Sequence, residues 1–164
     1  IMYKDELIDG EYFVTEKNAE SFIKDDFKNE AELVSFVESN IGLFCKDFLN
    51  VELKSYKREF CISGENRRKF KGNRRVDFII ETKCGQTIVV ECKCPRYVSE
   101  VSAGVAQLLG YICLFESYER KVDRFVLLST KMDSVSIMMI KKFNLPIEFY
   151  LTDKDRHLRL IGDK

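Results

Sequence analysis

The stretch Arg75-Val76-Asp77-Phe78-Ile79-Ile80-Glu81-Thr82, then Lys83-Cys84-Gly85, then Gln86-Thr87-Ile88-Val89-Val90-Glu91-Cys92-Lys93-Cys94 decides the fold. Two runs rich in β-branched and aromatic residues flank a three-residue connection, which reads as a β-hairpin. Gly85 stands where such a turn needs a left-handed residue. A turn centred on Cys84 pairs residues whose numbers sum to a constant. Thr82 then faces Gln86, Ile79 faces Val89, Asp77 faces Glu91 and Arg75 faces Lys93. Side chains alternate along a strand, so Asp77, Glu91 and Lys93 emerge on one face, at the end away from the turn. Two carboxylates opposed within otherwise apolar strands repel each other and need a neutralising partner. One solution is an ion-pair cluster in which Lys93 or Arg75 bridges them. The other is a divalent cation, with oxygen ligands of the kind magnesium prefers.

Outward from the hairpin, Asn29 to Asn40 carries apolar residues at helical spacing with Asn29 as cap. Val51 to Ile62 reads as a strand, and Ser63 to Asn73 as a polar loop. Ser99 to Phe115 reads as a helix and Arg124 to Thr130 as a buried strand, which makes a strand–helix–strand crossover. A helix over Ser134 to Phe143 and strands over Ile147 to Leu151 and Leu158 to Ile161 complete the pattern. The expected fold class is α/β: a single domain over 1–164 with a mixed central sheet flanked by helices, its core at about 29–131 and an acidic extension over 1–28.

The 164 residues are 45% hydrophobic and 33% charged, ordinary for a soluble α/β chain. No apolar run is expected to reach the ~20 residues of a membrane span, so no membrane partner is expected. No secretory signal is visible, so an intracellular location is expected, although Ile1 ahead of Met2 is equally at home in a fragment of a longer protein. The six cysteines, Cys45, Cys61, Cys84, Cys92, Cys94 and Cys113, are scattered and read as free thiols used as small buried groups. The lone His157 lacks a nearby nucleophile and reads as a surface residue. The 27 basic and 27 acidic residues cancel, but not locally. Lys54, Lys57, Arg58, Arg67, Arg68, Lys69, Lys71, Arg74 and Arg75 make one segment strongly basic, a weak pointer to a polyanion.

Asp77, followed after a turn by Val89-Val90-Glu91-Cys92-Lys93, resembles the core motif of the PD-(D/E)XK nuclease superfamily, the restriction endonuclease-like group, with Val76 where the family name has proline. Gln107-Leu108-Leu109-Gly110-Tyr111 is similar to the QxxxY element of its RecB-type members. Type I restriction subunits and archaeal repair nucleases carry related strands. The resemblance implies a DNA-cleaving enzyme of restriction, repair or recombination, an endonuclease sooner than an exonuclease. Its metal would be Mg2+, with Mn2+ as substitute, on Asp77, Glu91, Glu30 and the backbone carbonyl of Cys92. Glu32 and Glu38 are alternatives to Glu30. Lys93 would act on the attacking water, Gln107 and Tyr111 would position the site, and Arg67, Arg68, Lys69, Lys71, Arg74 and Arg75 would meet the phosphates of duplex, branched or single-stranded DNA. A homodimer would suit two-strand cleavage. A catalytically silent nucleic-acid-binding domain of the same fold is the alternative.

Overall fold

The computed structural model describes residues 13–16, 27–62, 74–152 and 157–161, of which 13–16 and 157–161 are backbone only. A seven-stranded sheet runs through it in the order β1-β7-β6-β5-β4-β3-β2, with β1 at Phe13–Glu16, β2 at Leu53–Cys61, β3 at Arg75–Thr82, β4 at Thr87–Lys93, β5 at Arg124–Ser129, β6 at Glu148–Thr152 and β7 at His157–Ile161. The sheet is mixed: β4, β5 and β6 are parallel, and the pairs at both edges are antiparallel. Parallel neighbours require crossovers, supplied by α3 (Val101–Ser117, led in by a 3-10 turn at Val98–Glu100) and α4 (Ser134–Lys142). The expected α/β class with a mixed sheet and flanking helices is what the chain adopts.

Side-chain alternation along the central strands feeds two layers. Val89 and Leu127 face α3 and α4, where Val101, Val105, Leu108, Tyr111, Phe115, Ile137 and Ile140 cover them. Val90, Cys92, Val126 and Leu128 face the opposite layer, built by α1 (Glu30–Ser39), α2 (Ile41–Phe44) and the π turn Cys45–Leu49. Helix α1 begins where expected because the Asn29 side chain accepts from the Glu32 amide at 2.9 Å. Its Leu33, Val34 and Val37 form the buried stripe.

Several expectations are revised. Phe13–Glu16, within the stretch read as an extension, forms edge strand β1 against β7. The helical run Val98–Ser117 is, by length and composition alone, long and apolar enough to cross a membrane, contrary to the reading that no run approaches a span. Here it is a core helix with one face on the sheet. All six cysteines are free, but only Cys45 and Cys92 are fully buried, while Cys84 and Cys113 are exposed. The side chain of His157 lies outside the described residues.

Arg124 ties strands β5 and β6 to the layer of α1, α2 and the π turn. Its guanidinium makes a two-pronged pair with Glu148, at 2.7 Å on each prong, and donates to the Leu49 carbonyl at 2.8 Å. Tyr150 completes the network by donating to Glu148 at 3.1 Å. Removing one member strands a largely desolvated charge. Arg124→Ala is expected to cost about 3 kcal/mol in urea unfolding, and a loss below ~1 kcal/mol would show the network to be dispensable.

Candidate metal centre

The hairpin pairs as counting from its turn requires: Ile79 opposite Val89, Phe78 opposite Val90, and the Thr82 amide donating to the Gln86 carbonyl. The paired register then ends at Phe78 and Val90. Beyond that point side chains replace backbone groups. The Asp77 amide donates to a Glu91 carboxylate oxygen at 2.9 Å, and the Cys92 amide donates to an Asp77 carboxylate oxygen at 2.8 Å. The two carboxylates are thereby opposed, as the sequence implies, and each is clamped to the other strand. The pairing of Arg75 with Lys93 is not formed; Arg75 lies opposite Cys61 on β2, with its side chain exposed. Glu59, which falls between the paired residues Arg58 and Phe60 on that strand, has a positive φ of 48°, an uncommon conformation for a side chain of its size.

Glu30, in the first turn of α1, reaches the same place. One oxygen each from Glu30, Asp77 and Glu91 lie within 4.8 Å of one another. Lys93 Nζ stands 3.7 Å from a Glu30 oxygen and 3.7 Å from a Glu91 oxygen. Lys93 thus bridges Glu30 and Glu91, and its charge, with that of Arg58, also acts on Asp77. Burial first, and the neighbouring Asp77 second, push Glu91 up to about 8. Burial likewise raises Asp77, against the pull of the Cys92 amide and Lys93. Glu30 is raised mainly by burial, with Lys93 opposing and Asp77 adding. A divalent cation fits such a set, since the donors are hard oxygens and their charge exceeds what Lys93 offsets. The alternatives to Glu30 lie elsewhere: Glu38 pairs with Arg58 at 2.7 Å, and Glu32 is outside the acidic group.

Helix α3 supplies the rest of the wall. Gln107 donates to the Tyr111 hydroxyl at 2.5 Å, one turn apart on the helix. Burial chiefly, then the charge of Glu91, raises Tyr111 to about 12, so its hydroxyl stays protonated beside the carboxylates. The Cys92 side chain points into the opposite layer. Arg74 and Arg75 are exposed at the mouth of the hairpin, whereas Arg67, Arg68, Lys69 and Lys71 lie outside the described residues.

Two contributors escaped the sequence reading. Arg58 lies near enough to Asp77 for its charge to favour the ionised carboxylate, and its guanidinium sits 5.2 Å from the Phe78 ring centroid. Gly104 lets α3 approach β4: a Cβ there would meet Lys93 Cγ at 3.1 Å and Leu127 Cδ1 at 3.2 Å. Its place on the stripe Gly104, Leu108, Tyr111 was the available signal. Gly104→Ala is expected to displace the Lys93 stem at a cost of about 1–2 kcal/mol in urea unfolding. An unchanged unfolding midpoint would show that the contact yields freely.

No protein-family model matches the chain, and no curated protein matches it. Among solved structures the chain is similar to the crystal structure of a repair endonuclease from Pyrococcus abyssi, at 20% identity and a TM-score of 0.44. The match covers 80% of this chain and 50% of that one, so the chain spans half the length of this neighbour. At that identity and overlap, the chemistry has to be found in the chain's own side chains.

Proposed function

We propose that the chain is a metal-dependent deoxyribonuclease of the PD-(D/E)XK type that hydrolyses DNA phosphodiester bonds in restriction, repair or recombination. The observation that carries this reading is the meeting of Glu30, Asp77 and Glu91 within 4.8 Å, with the Lys93 ammonium 3.7 Å from two of them. Glu30, Asp77, Glu91 and the Cys92 carbonyl would hold magnesium, with manganese as substitute. When bound, the cation supplies a more acidic coordinated water and positive charge against the phosphate.

The chain's own residues do the positioning. Asp77 and Glu91 present fixed oxygens because each is hydrogen-bonded to the opposite strand's backbone. Lys93 directs its ammonium into the carboxylate group, where it can orient the attacking water or stabilise a phosphoryl oxygen. Tyr111, held by Gln107, offers a protonated hydroxyl. Arg74 and Arg75, with the basic residues between 67 and 71, would meet the flanking phosphates, giving salt-dependent and largely sequence-independent binding. A homodimer would place two such sites on two strands.

The test is cleavage of labelled duplex, branched and single-stranded DNA with magnesium, manganese or EDTA, comparing the native chain with Lys93→Ala. Metal-dependent products lost in the variant are expected. DNA binding without cleavage on any substrate would instead favour the catalytically silent domain.

A further inference from the structure

Helices α3 and α4 cover β4, β5 and β6 on the face that bears the carboxylates, and leave β2 and the outer side of β3 uncovered there. The result is a groove of about 540 Å³, lined by Lys57 and Phe60 of β2, Ile79 of β3, Phe115 of α3 and Arg120 just beyond that helix, among others. Its floor is aromatic and aliphatic and its rim is cationic. The Arg120 guanidinium lies 5.1 Å from the Phe60 ring centroid and the Lys57 ammonium 5.9 Å from it. Both cations are exposed to solvent, and Phe60 is half-buried beneath them. Lys121 adds a further positive group, partly offset by Asp123 at 3.7 Å, and the one acid in the lining, Glu81, accepts a hydrogen bond from the Thr87 hydroxyl at 3.0 Å.

The groove adjoins the metal centre. Ile79 is two residues from Asp77 on the same strand and, by alternation, on the same face. Phe60 pairs with Val76, the residue next to Asp77. From there the groove runs along β3 to Glu81, about 13 Å beyond Asp77 at the usual rise per residue. A polyanion whose reacting phosphate sits at the carboxylates would pass directly over it. A paired base has both faces stacked and nothing to gain from an aromatic floor. An unpaired one can stack on the edge of Phe60 or on the planar Arg120 guanidinium above it while its phosphates meet Lys57 and Arg120.

We infer that this groove is a subsite for an unpaired nucleotide flanking the cleaved phosphate, so that the preferred substrate carries a short single-stranded segment beside its duplex. The inference rests on the nuclease reading for the placement of the reacting phosphate, and its test needs no cleavage. Binding is measured by fluorescence anisotropy in EDTA, with a labelled blunt duplex, the same duplex bearing a three-nucleotide unpaired end, and that duplex with the unpaired bases removed but the phosphates kept. The native chain is expected to bind the unpaired end about tenfold more tightly than either of the others. Phe60→Ala and Arg120→Ala should each reduce that preference, and Lys57→Ala and Arg120→Ala should each lower the slope of log affinity against log salt by about one. Folding of each variant is checked by its melting temperature; Lys57 and Arg120 are exposed enough to tolerate the change and carry the test if Phe60→Ala unfolds. Equal binding of blunt and unpaired ends, or a preference untouched in all three variants, overturns the inference. A preference for the unpaired end in a chain that cleaves nothing upholds the subsite and counts against the nuclease reading alone.

Discussion

Asp77→Asn is expected to lower the rate of magnesium-dependent cleavage by at least about a thousandfold and, at the same time, to make the metal-free protein more stable. The first effect follows from charge. A ligand set that loses one of three carboxylates binds the divalent cation more weakly and in altered geometry, and several kcal/mol of transition-state stabilisation depend on that cation. The second follows from what the carboxylates do to one another. After burial, Asp77 is the main influence raising Glu91, and Asp77 is itself raised by its own burial, with the Cys92 amide and Lys93 pulling the other way. Asparagine keeps the volume and an oxygen to accept from the Cys92 amide while deleting a charge, so a gain on the order of 1 kcal/mol in urea unfolding is expected. Single-turnover cleavage and unfolding of the same preparation decide it. An undiminished rate would remove Asp77 from the site. A marked loss of stability would mean that its contact with Cys92 is structural and outweighs the repulsion.

The second large effect concerns pH. Glu91 is 2% exposed, and its carboxyl is pushed from the ordinary 4.5 up to about 8, so the metal-free fold carries a proton there at neutral pH that the unfolded chain does not. The sign is fixed by linkage: where the folded state binds more protons, stability falls as pH rises, here through the window from 4.5 to about 8. The slope should be on the order of 1 kcal/mol per pH unit in EDTA. A divalent cation reverses the preference, because it binds the ionised carboxylates. Its affinity should therefore rise by up to about tenfold per pH unit below 8, with about one proton released per ion at pH 7. Calorimetric titration with magnesium or manganese in buffers of different ionisation enthalpy reads that proton directly. A proton count near zero, together with a flat stability profile in EDTA, would show Glu91 to be ionised in the metal-free fold.

The opposition of Asp77 and Glu91 was legible because a turn of fixed length imposes a register, and counting outward from Cys84 needs no tertiary information. The end of the ladder at Phe78 and Val90 was not, since it depends on side-chain oxygens displacing backbone partners. The arrival of Glu30 could be suggested only by resemblance. Helical spacing says which face of α1 is buried and nothing about where its first turn lands against a strand sixty residues away in sequence. Strand β1 went unread because four residues in an acidic stretch gain their structure from pairing with the far end of the chain. The groove beside Phe60 is made by β2, β3, β4 and the end of α3, which no local pattern joins.

The segment 63–73 leaves and re-enters the sheet at a closed stem, where the Ile62 amide donates to the Arg74 carbonyl at 2.9 Å. Arg67, Arg68, Lys69 and Lys71 are therefore tethered at both ends within a few residues of Asp77. None is more than six residues from the stem, which bounds their reach at about 20 Å whatever path the chain takes. A phosphate held near the carboxylates would meet these basic residues at an effective concentration bounded by that reach. Because closure entropy grows only slowly with length, lineages could lengthen or reshuffle this tether at little cost to folding, retuning salt sensitivity and substrate shape while the carboxylates stay fixed.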